Sequence, residues 1–121
     1  MKEYNELIAE FSCQQRPIAS SIKTGKEYLF EGWWYEIHEL KFHESWNWIM
    51  SVINKIEKLD YEITIDSQMQ SVNDDREMIW HHDVVISDGM EEFAKGYSQT
   101  SKFKATHEAV VNFIKWHNSR A

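Results

Sequence analysis

The sequence predicts an α+β protein in which a small, mainly antiparallel sheet of about three to four strands is covered by two or three helices. Three observations lead to this class. Apolar residues recur with helical spacing at about 2–12, 45–58 and 106–118. Two runs near 61–87 alternate apolar and polar residues, as half-buried strands do. The 121 residues are 42% hydrophobic and contain no internal repeat, so we expect a single domain over 1–121.

The first helix is predicted at about 2–12, where apolar and acidic residues take opposite faces. Its apolar face is formed by Tyr4, Leu7, Ile8 and Phe11. Pro17 and the turn-forming residues after it break the helical pattern. We therefore expect residues 13–26 to form a loop.

An aromatic segment at 27–36 is predicted to be extended, because aromatic side chains favour strands. Gly32 interrupts the segment, which indicates either a bulge or a sharp bend. Trp33 and Trp34 are neighbours, so in an extended segment one side chain points inward and the other outward. In the alternative arrangement, both indoles pack under the loop at 13–26.

The central helix is predicted at about 45–58, with Ser45 as the residue that caps its first turn. The segment before it, at 37–42, fits either a helical turn or irregular structure. The apolar seam of the helix consists of Trp46, Ile49, Met50, Ile53 and Ile56. Trp46 is therefore expected to be a core side chain, whereas Asn47 lies on the polar stripe.

An antiparallel hairpin near 61–87 is predicted from the two alternating runs, with turn-forming residues at 73–76 between them. The connection that follows is expected to hold a third strand around 93–97. The last helix is predicted at about 106–118, because Thr106 can cap its first turn.

Composition and charge exclude several classes of function. The formal net charge of -7 repels phosphate backbones, so we expect no direct binding of nucleic acid. No apolar run approaches the roughly 18 residues of a membrane-spanning helix, and the first residues lack the apolar core of a signal peptide. We therefore expect a cytoplasmic protein without a membrane partner. Cys13 is the single cysteine, which forbids an internal disulfide.

The acidic residues are concentrated in one stretch of the chain. Between positions 27 and 44 the only basic residue is Lys41. The acids there are Glu27, Glu31, Glu36, Glu39 and Glu44. This stretch has two interpretations, namely a surface that attracts a basic partner or a solvated face that keeps the protein soluble.

Six histidines raise the question of a metal site or of catalysis. His81, His82 and Asp83, on the second strand of the hairpin, form the set that would bind a metal. Neighbouring strand residues point to opposite faces, so the two histidines are not expected to meet at one ion. A hydrogen-bonded core position explains His82 better. The sequence has no nucleophile elbow, phosphate loop or dinucleotide motif, so we expect no cofactor and no enzymatic activity.

Three blocks of the sequence resemble a known group of proteins. They lie at 7–11, at 42–50 continuing to 55–57, and at 109–118, where the residues read AVVNFIKWHN. They resemble small uncharacterised proteins encoded by bacteriophages, prophages and mobile elements of gut bacteria, and more loosely the phage alpha-beta-alpha sandwich domain family. The resemblance implies a sheet covered by helices and an accessory protein that binds something of the host. It supplies no catalytic residues.

The sequence thus predicts a non-enzymatic protein that binds a host or phage protein, a basic one if the glutamates attract it. Large exposed aromatic residues anchor protein interfaces. The expected binding residues are Trp33, Trp34, Tyr35, Glu36, Glu39 and Trp48. The alternative is a binder of a metal or nucleotide, or a hydrolase, that uses His81, His82 and Asp83. The oligomeric state is not predicted.

Overall fold

Three α-helices and six strands make up the part of the chain that the computed structural model describes, which is residues 1–20, 22–72 and 78–120. In chain order they are α1 (Asn5–Ser12), β1 (Gln14–Pro17), β2 (Lys26–Phe30), β3 (Trp33–Glu36), α2 (Trp46–Lys58), β4 (Glu62–Val72), β5 (Met78–Ser87), β6 (Glu92–Ser98) and α3 (Lys102–Ser119). Short 3-10 turns at Lys2–Tyr4 and Ile37–Glu39 precede α1 and follow β3. The α+β class is confirmed.

The strands form two separate antiparallel sheets where the sequence predicted one. The first has the order β1, β2, β3 and the second the order β4, β5, β6. The expectation of a loop over 13–26 is wrong in part, because β1 lies within it and pairs with β2. All four residues of β1 are exposed, so the strand has no alternation of apolar and polar residues that would mark it in the sequence.

The β2–β3 connection is a two-residue turn made by Glu31 and Gly32. Their φ angles are 48° and 87°, and positive φ at both positions is the signature of the tight hairpin turn that matches strand twist. Of the two expectations for Gly32, the sharp bend is therefore the one observed. The turn makes β2 and β3 a rigid hairpin.

Helix α2 buries three residues of the predicted seam, Ile49, Ile53 and Ile56, with Trp48 and Val52 in place of Trp46 and Met50. Trp46 and Met50 are each 40% exposed, so the expectation that Trp46 is a core residue is wrong. The cause lies outside the helix, because Phe30 of β2 stacks on Trp48 with ring centroids 3.8 Å apart and so selects which indole is buried.

Helix α3 packs against β5 and β6 at short range. A Cβ atom on Gly96 of β6 would lie 1.8 Å from the carbonyl oxygen of Ala105, so only glycine permits this approach. The helix begins four residues earlier than predicted, since Ser101 caps it by accepting from the Lys104 amide at 3.1 Å. Thr106 is buried instead, and its hydroxyl donates to the Lys102 carbonyl.

The predicted hairpin and the third strand are observed as β4, β5 and β6. The predicted turn at 73–76 lies outside the described residues. Both sheets contribute to one hydrophobic core, with Phe30 from the first sheet and Ile86 from the second in the same cluster as Phe113 of α3. Among the described residues, no helix has the length and apolar character that a bilayer crossing requires.

Candidate functional site

The tip of the β2–β3 hairpin presents an exposed tryptophan. Trp33 follows the turn directly and is 71% exposed. Its cross-strand partner Phe30 is buried, and paired residues share one face of an antiparallel sheet. The indole therefore extends from the face that packs on the core, but beyond the region that the core covers. A large apolar ring is thus held in solvent by a rigid element.

Trp34 lies on the opposite face of the same sheet. The guanidinium carbon of Arg16 is 3.9 Å from the centroid of its ring, a cation–π contact. Arg16 also donates to Glu27 at 3.5 Å, so it connects β1 to β2 across this face. The two neighbouring tryptophans point to opposite faces as expected, but neither lies in the core. Arg16 belongs to the segment predicted as a loop. It covers Trp34 but leaves Trp33 exposed, so the alternative in which both indoles pack under this segment is not observed.

Tyr35 and Trp48 belong to the aromatic core rather than to a binding surface. Trp48 is 7% exposed, and its ring contacts those of Phe30 and Phe42. Tyr35 is half-buried, with its ring 5.0 Å from that of Trp48 in an edge contact. The expectation that Trp48 forms part of a binding surface is therefore corrected, because a partner cannot reach its ring.

The acidic stretch is partly neutralised by cations from elsewhere in the chain. Lys23 lies 3.4 Å from Glu36, and Arg16 lies 3.5 Å from Glu27. A count along 27–44 misses both cations, because folding brings them in from the segment before β2. Within the described residues Glu31, Glu39 and Glu44 have no lysine or arginine at salt-bridge distance.

Glu36, His38 and Glu39 form the one cluster of potential metal ligands found among the described residues, with donor atoms within 4.8 Å of one another. Helix capping accounts for this geometry. The Glu36 amide donates to the Glu39 carboxylate at 2.9 Å, and the Glu36 carboxylate accepts from the third residue of the turn in return. Lys23 occupies the other side of Glu36.

The hairpin residues of the alternative site do not meet at one point. His81 Nδ1 lies 2.6 Å from the Tyr97 hydroxyl on one face of the second sheet. His82 Nδ1 lies 2.8 Å from the Ser67 hydroxyl, and its cross-strand partner places it on the other face. In the described part of the chain His81, His82 and Asp83 are therefore not a ligand set. The hydrogen bond expected for His82 is present, although the residue is only half-buried.

A buried histidine on α3 was not singled out by the sequence. His107 is 3% exposed, and its Nε2 atom has no hydrogen-bond partner within the described residues. Burial lowers its pKa to about 4, with a smaller contribution from the terminal ammonium group, so the imidazole is neutral at pH 7. His107 lies on the helix face that contacts Tyr4. The helical spacing of apolar residues does not reveal that its Nε2 atom lacks a hydrogen-bond partner among the described residues.

The described residues therefore offer an exposed indole at the hairpin tip, a partly neutralised acidic face, and a buried imidazole whose Nε2 atom has no hydrogen-bond partner among them. Comparison of the chain with protein-family models, with characterised proteins and with solved structures finds no match in any of the three.

Proposed function

We propose that this protein is a non-enzymatic accessory protein of phage or mobile-element origin that binds a host or phage protein in the cytoplasm. The interface is centred on Trp33 at the tip of the β2–β3 hairpin. The exposure of this one indole, 71% on a rigid hairpin, is the observation that carries the proposal. No lysine or arginine of the described residues lies at salt-bridge distance from Glu31, Glu39 or Glu44, although His43 lies 3.6 Å from Glu44. We take these three glutamates as the acidic rim of the interface, which attracts a basic partner.

Rigidity is the reason to prefer Trp33 over other exposed apolar residues. The hairpin is closed by a two-residue turn, and its base is fixed by Phe30 in the core. An anchor that is already ordered loses little conformational entropy on binding. Tryptophans in such positions often contribute 2 kcal/mol or more to binding, which is roughly a thirtyfold change in affinity.

The test compares two tryptophans of different surfaces in affinity capture from the producing cells. A partner retained by the wild type should be lost with Trp33→Ala and kept with Trp46→Ala, a partly exposed tryptophan at the start of α2. Binding of the purified partner should then show faster dissociation for Trp33→Ala by roughly thirtyfold. A partner that binds both variants equally would place the interface elsewhere.

Charge reversal tests the acidic rim separately. Glu31→Lys and Glu44→Lys remove rim charges without breaking the cap that Glu39 provides to the turn after β3. Association with a basic partner should become slower and less dependent on salt, because rim charges act mainly on the encounter rate. An unchanged association rate would remove the acidic surface from the proposal and leave the indole.

A further inference from the structure

A groove of about 540 Å³ runs between the Lys2–Tyr4 turn and the outer face of α3. Met1 and Tyr4 form one wall. The other wall is one face of the helix, formed by Lys104, His107, Glu108, Val111, Asn112 and Lys115. This volume lies in the range of pockets that hold small molecules. The groove is remote in sequence from the hairpin tip.

The charge of the groove is opposite to that of the protein as a whole. The Lys115 ammonium lies 4.7 Å from the centroid of the Tyr4 ring. Within the described residues, no carboxylate lies at salt-bridge distance from Lys104 or Lys115. Lys104 is in the first turn of α3, which has no acidic residue to balance the positive helix end. The terminal ammonium group of Met1 is paired with the Glu3 carboxylate at 2.7 Å, and the two remaining ammonium groups, of Lys104 and Lys115, outnumber the single carboxylate of Glu108 in the lining.

His107 in the wall of this groove has one ring nitrogen, Nε2, without a hydrogen-bond partner in the described part of the chain. Its side chain is buried, and buried polar atoms in folded proteins are almost always hydrogen-bonded. His107 nevertheless contributes to the lining of the groove beside Tyr4, whose ring centroid lies 6.4 Å from its own. The ring is neutral, and it can therefore donate or accept a hydrogen bond without adding charge.

We propose that this groove binds a small organic anion, with one carboxylate or phosphate group and a flat apolar body. The Lys115 ammonium pairs with the anionic group, while the Tyr4 ring and Val111 contact the body. His107 supplies the hydrogen bond that orients the ligand. Charge favours this class over a cation, and the tyrosine ring favours a flat body over a compact inorganic ion.

The test uses phenyl phosphate as the probe. Its binding is measured from the chemical-shift changes of the isotope-labelled protein during titration. We expect saturable binding with Kd on the order of 1 mM, and shifts of the His107 ring signals. Benzyl alcohol has the ring without the charge, and inorganic phosphate has the charge without the ring. Each should bind at least about tenfold more weakly, if both parts of the ligand are recognised.

Lys115→Gln is the decisive variant, because Lys115 is exposed and its replacement leaves the core intact. It should weaken phenyl phosphate by at least about tenfold, whereas Lys58→Gln, in a separate groove on α2, should change nothing. Absence of saturation below about 20 mM, or an unchanged Kd in Lys115→Gln, would overturn the proposal. Trp33→Ala should bind the probe normally, so this result is independent of the hairpin interface.

Discussion

Two tryptophans of α2, two positions apart, lie in opposite environments. Trp48 is 7% exposed and stacks on Phe30, whereas Trp46 is 40% exposed and meets the edge of Phe103. The helix carries apolar residues on so wide an arc that its periodicity permits either indole in the core. The position of Phe30 settles the choice. That contact joins residues 18 positions apart, which is why the helix and most of its buried seam were predictable and the choice of buried tryptophan was not.

Replacing each tryptophan by alanine should separate the two environments. We expect Trp48→Ala to lower the free energy of unfolding by about 3 to 5 kcal/mol, because it leaves a cavity among packed aromatic rings. Trp46→Ala should cost about 1 kcal/mol, since part of its surface is already in water. Urea denaturation at equilibrium measures both losses. Similar losses would contradict the buried face described for α2.

His107 gives the protein a specific dependence on pH. Its pKa in the folded protein is about 4, below the ordinary value of 6.5, chiefly because burial disfavours the imidazolium ion. Between these two pH values the unfolded chain binds more protons than the folded one. Stability therefore falls as the pH is lowered from 6.5 towards 4, and this residue contributes fully only above that window.

The size of this effect should be on the order of 3 kcal/mol between pH 7 and pH 4. His107→Leu replaces the titrating group with an apolar side chain of similar size. The stability of this variant should therefore fall less than that of the wild type over the same pH window. The difference between the two proteins in urea denaturation isolates the histidine from the carboxylates, which titrate in both. Parallel pH profiles would show that His107 can protonate without unfolding.

The elements that the sequence revealed are those with one buried face. Alternation predicted the hairpin of β4 and β5, and helical spacing predicted α3. Strand β1 was missed because all four of its residues are exposed, so no apolar pattern marks it. The start of α3 was misplaced because both Ser101 and Thr106 can cap a helix, and only packing shows that Thr106 is buried.

The contact between α3 and the second sheet depends on the absence of a side chain at Gly96. Gly96→Ala would place a methyl group 1.8 Å from the Ala105 carbonyl oxygen and 2.6 Å from the Ala109 nitrogen. The helix must move away, and we expect a loss of about 3 kcal/mol or more in thermal or urea unfolding.

Gly32→Ala is the matched control for this substitution. Its φ is 87°, but nothing lies within 4 Å of the added methyl group, so only backbone strain is introduced. That strain should cost about 1 to 2 kcal/mol. A milder effect at Gly96 than at Gly32 would contradict the close approach of helix and sheet.

At the scale of the whole molecule, two sheets share one core, although no strand of one is hydrogen-bonded to a strand of the other within residues 1–20, 22–72 and 78–120. Phe30 and Tyr28 from the first sheet belong to the same buried cluster as Val84 and Ile86 from the second. Neither sheet can lose its packing without exposing the other. We therefore expect a single cooperative transition in urea, with coincident curves from tryptophan fluorescence and far-ultraviolet circular dichroism. Two separated transitions would show that the sheets are independent units.

The candidate binding surface was only partly predictable, because some of its charges are paired with residues that are distant in the sequence. Trp33 was named from its type and position, and the structure exposes it. The acidic stretch carries less unbalanced charge than a count along the sequence indicates, because Arg16 and Lys23 reach Glu27 and Glu36 from a segment outside it. Net charge along a stretch of sequence ignores such pairings. A local sequence pattern identifies the chemistry of a residue, but it does not identify which residues will lie next to it in the folded protein.

Strand order in the two sheets bears on how fast the protein folds. Every strand pair joins consecutive strands, β1 with β2, β2 with β3, β4 with β5 and β5 with β6, so no pairing waits for a distant part of the chain. Closing short loops costs less entropy than closing long ones, and domains that mix helices and sheets fold at rates between those of helical bundles and all-β proteins. The strand order therefore allows either meander to form before the shared core is complete.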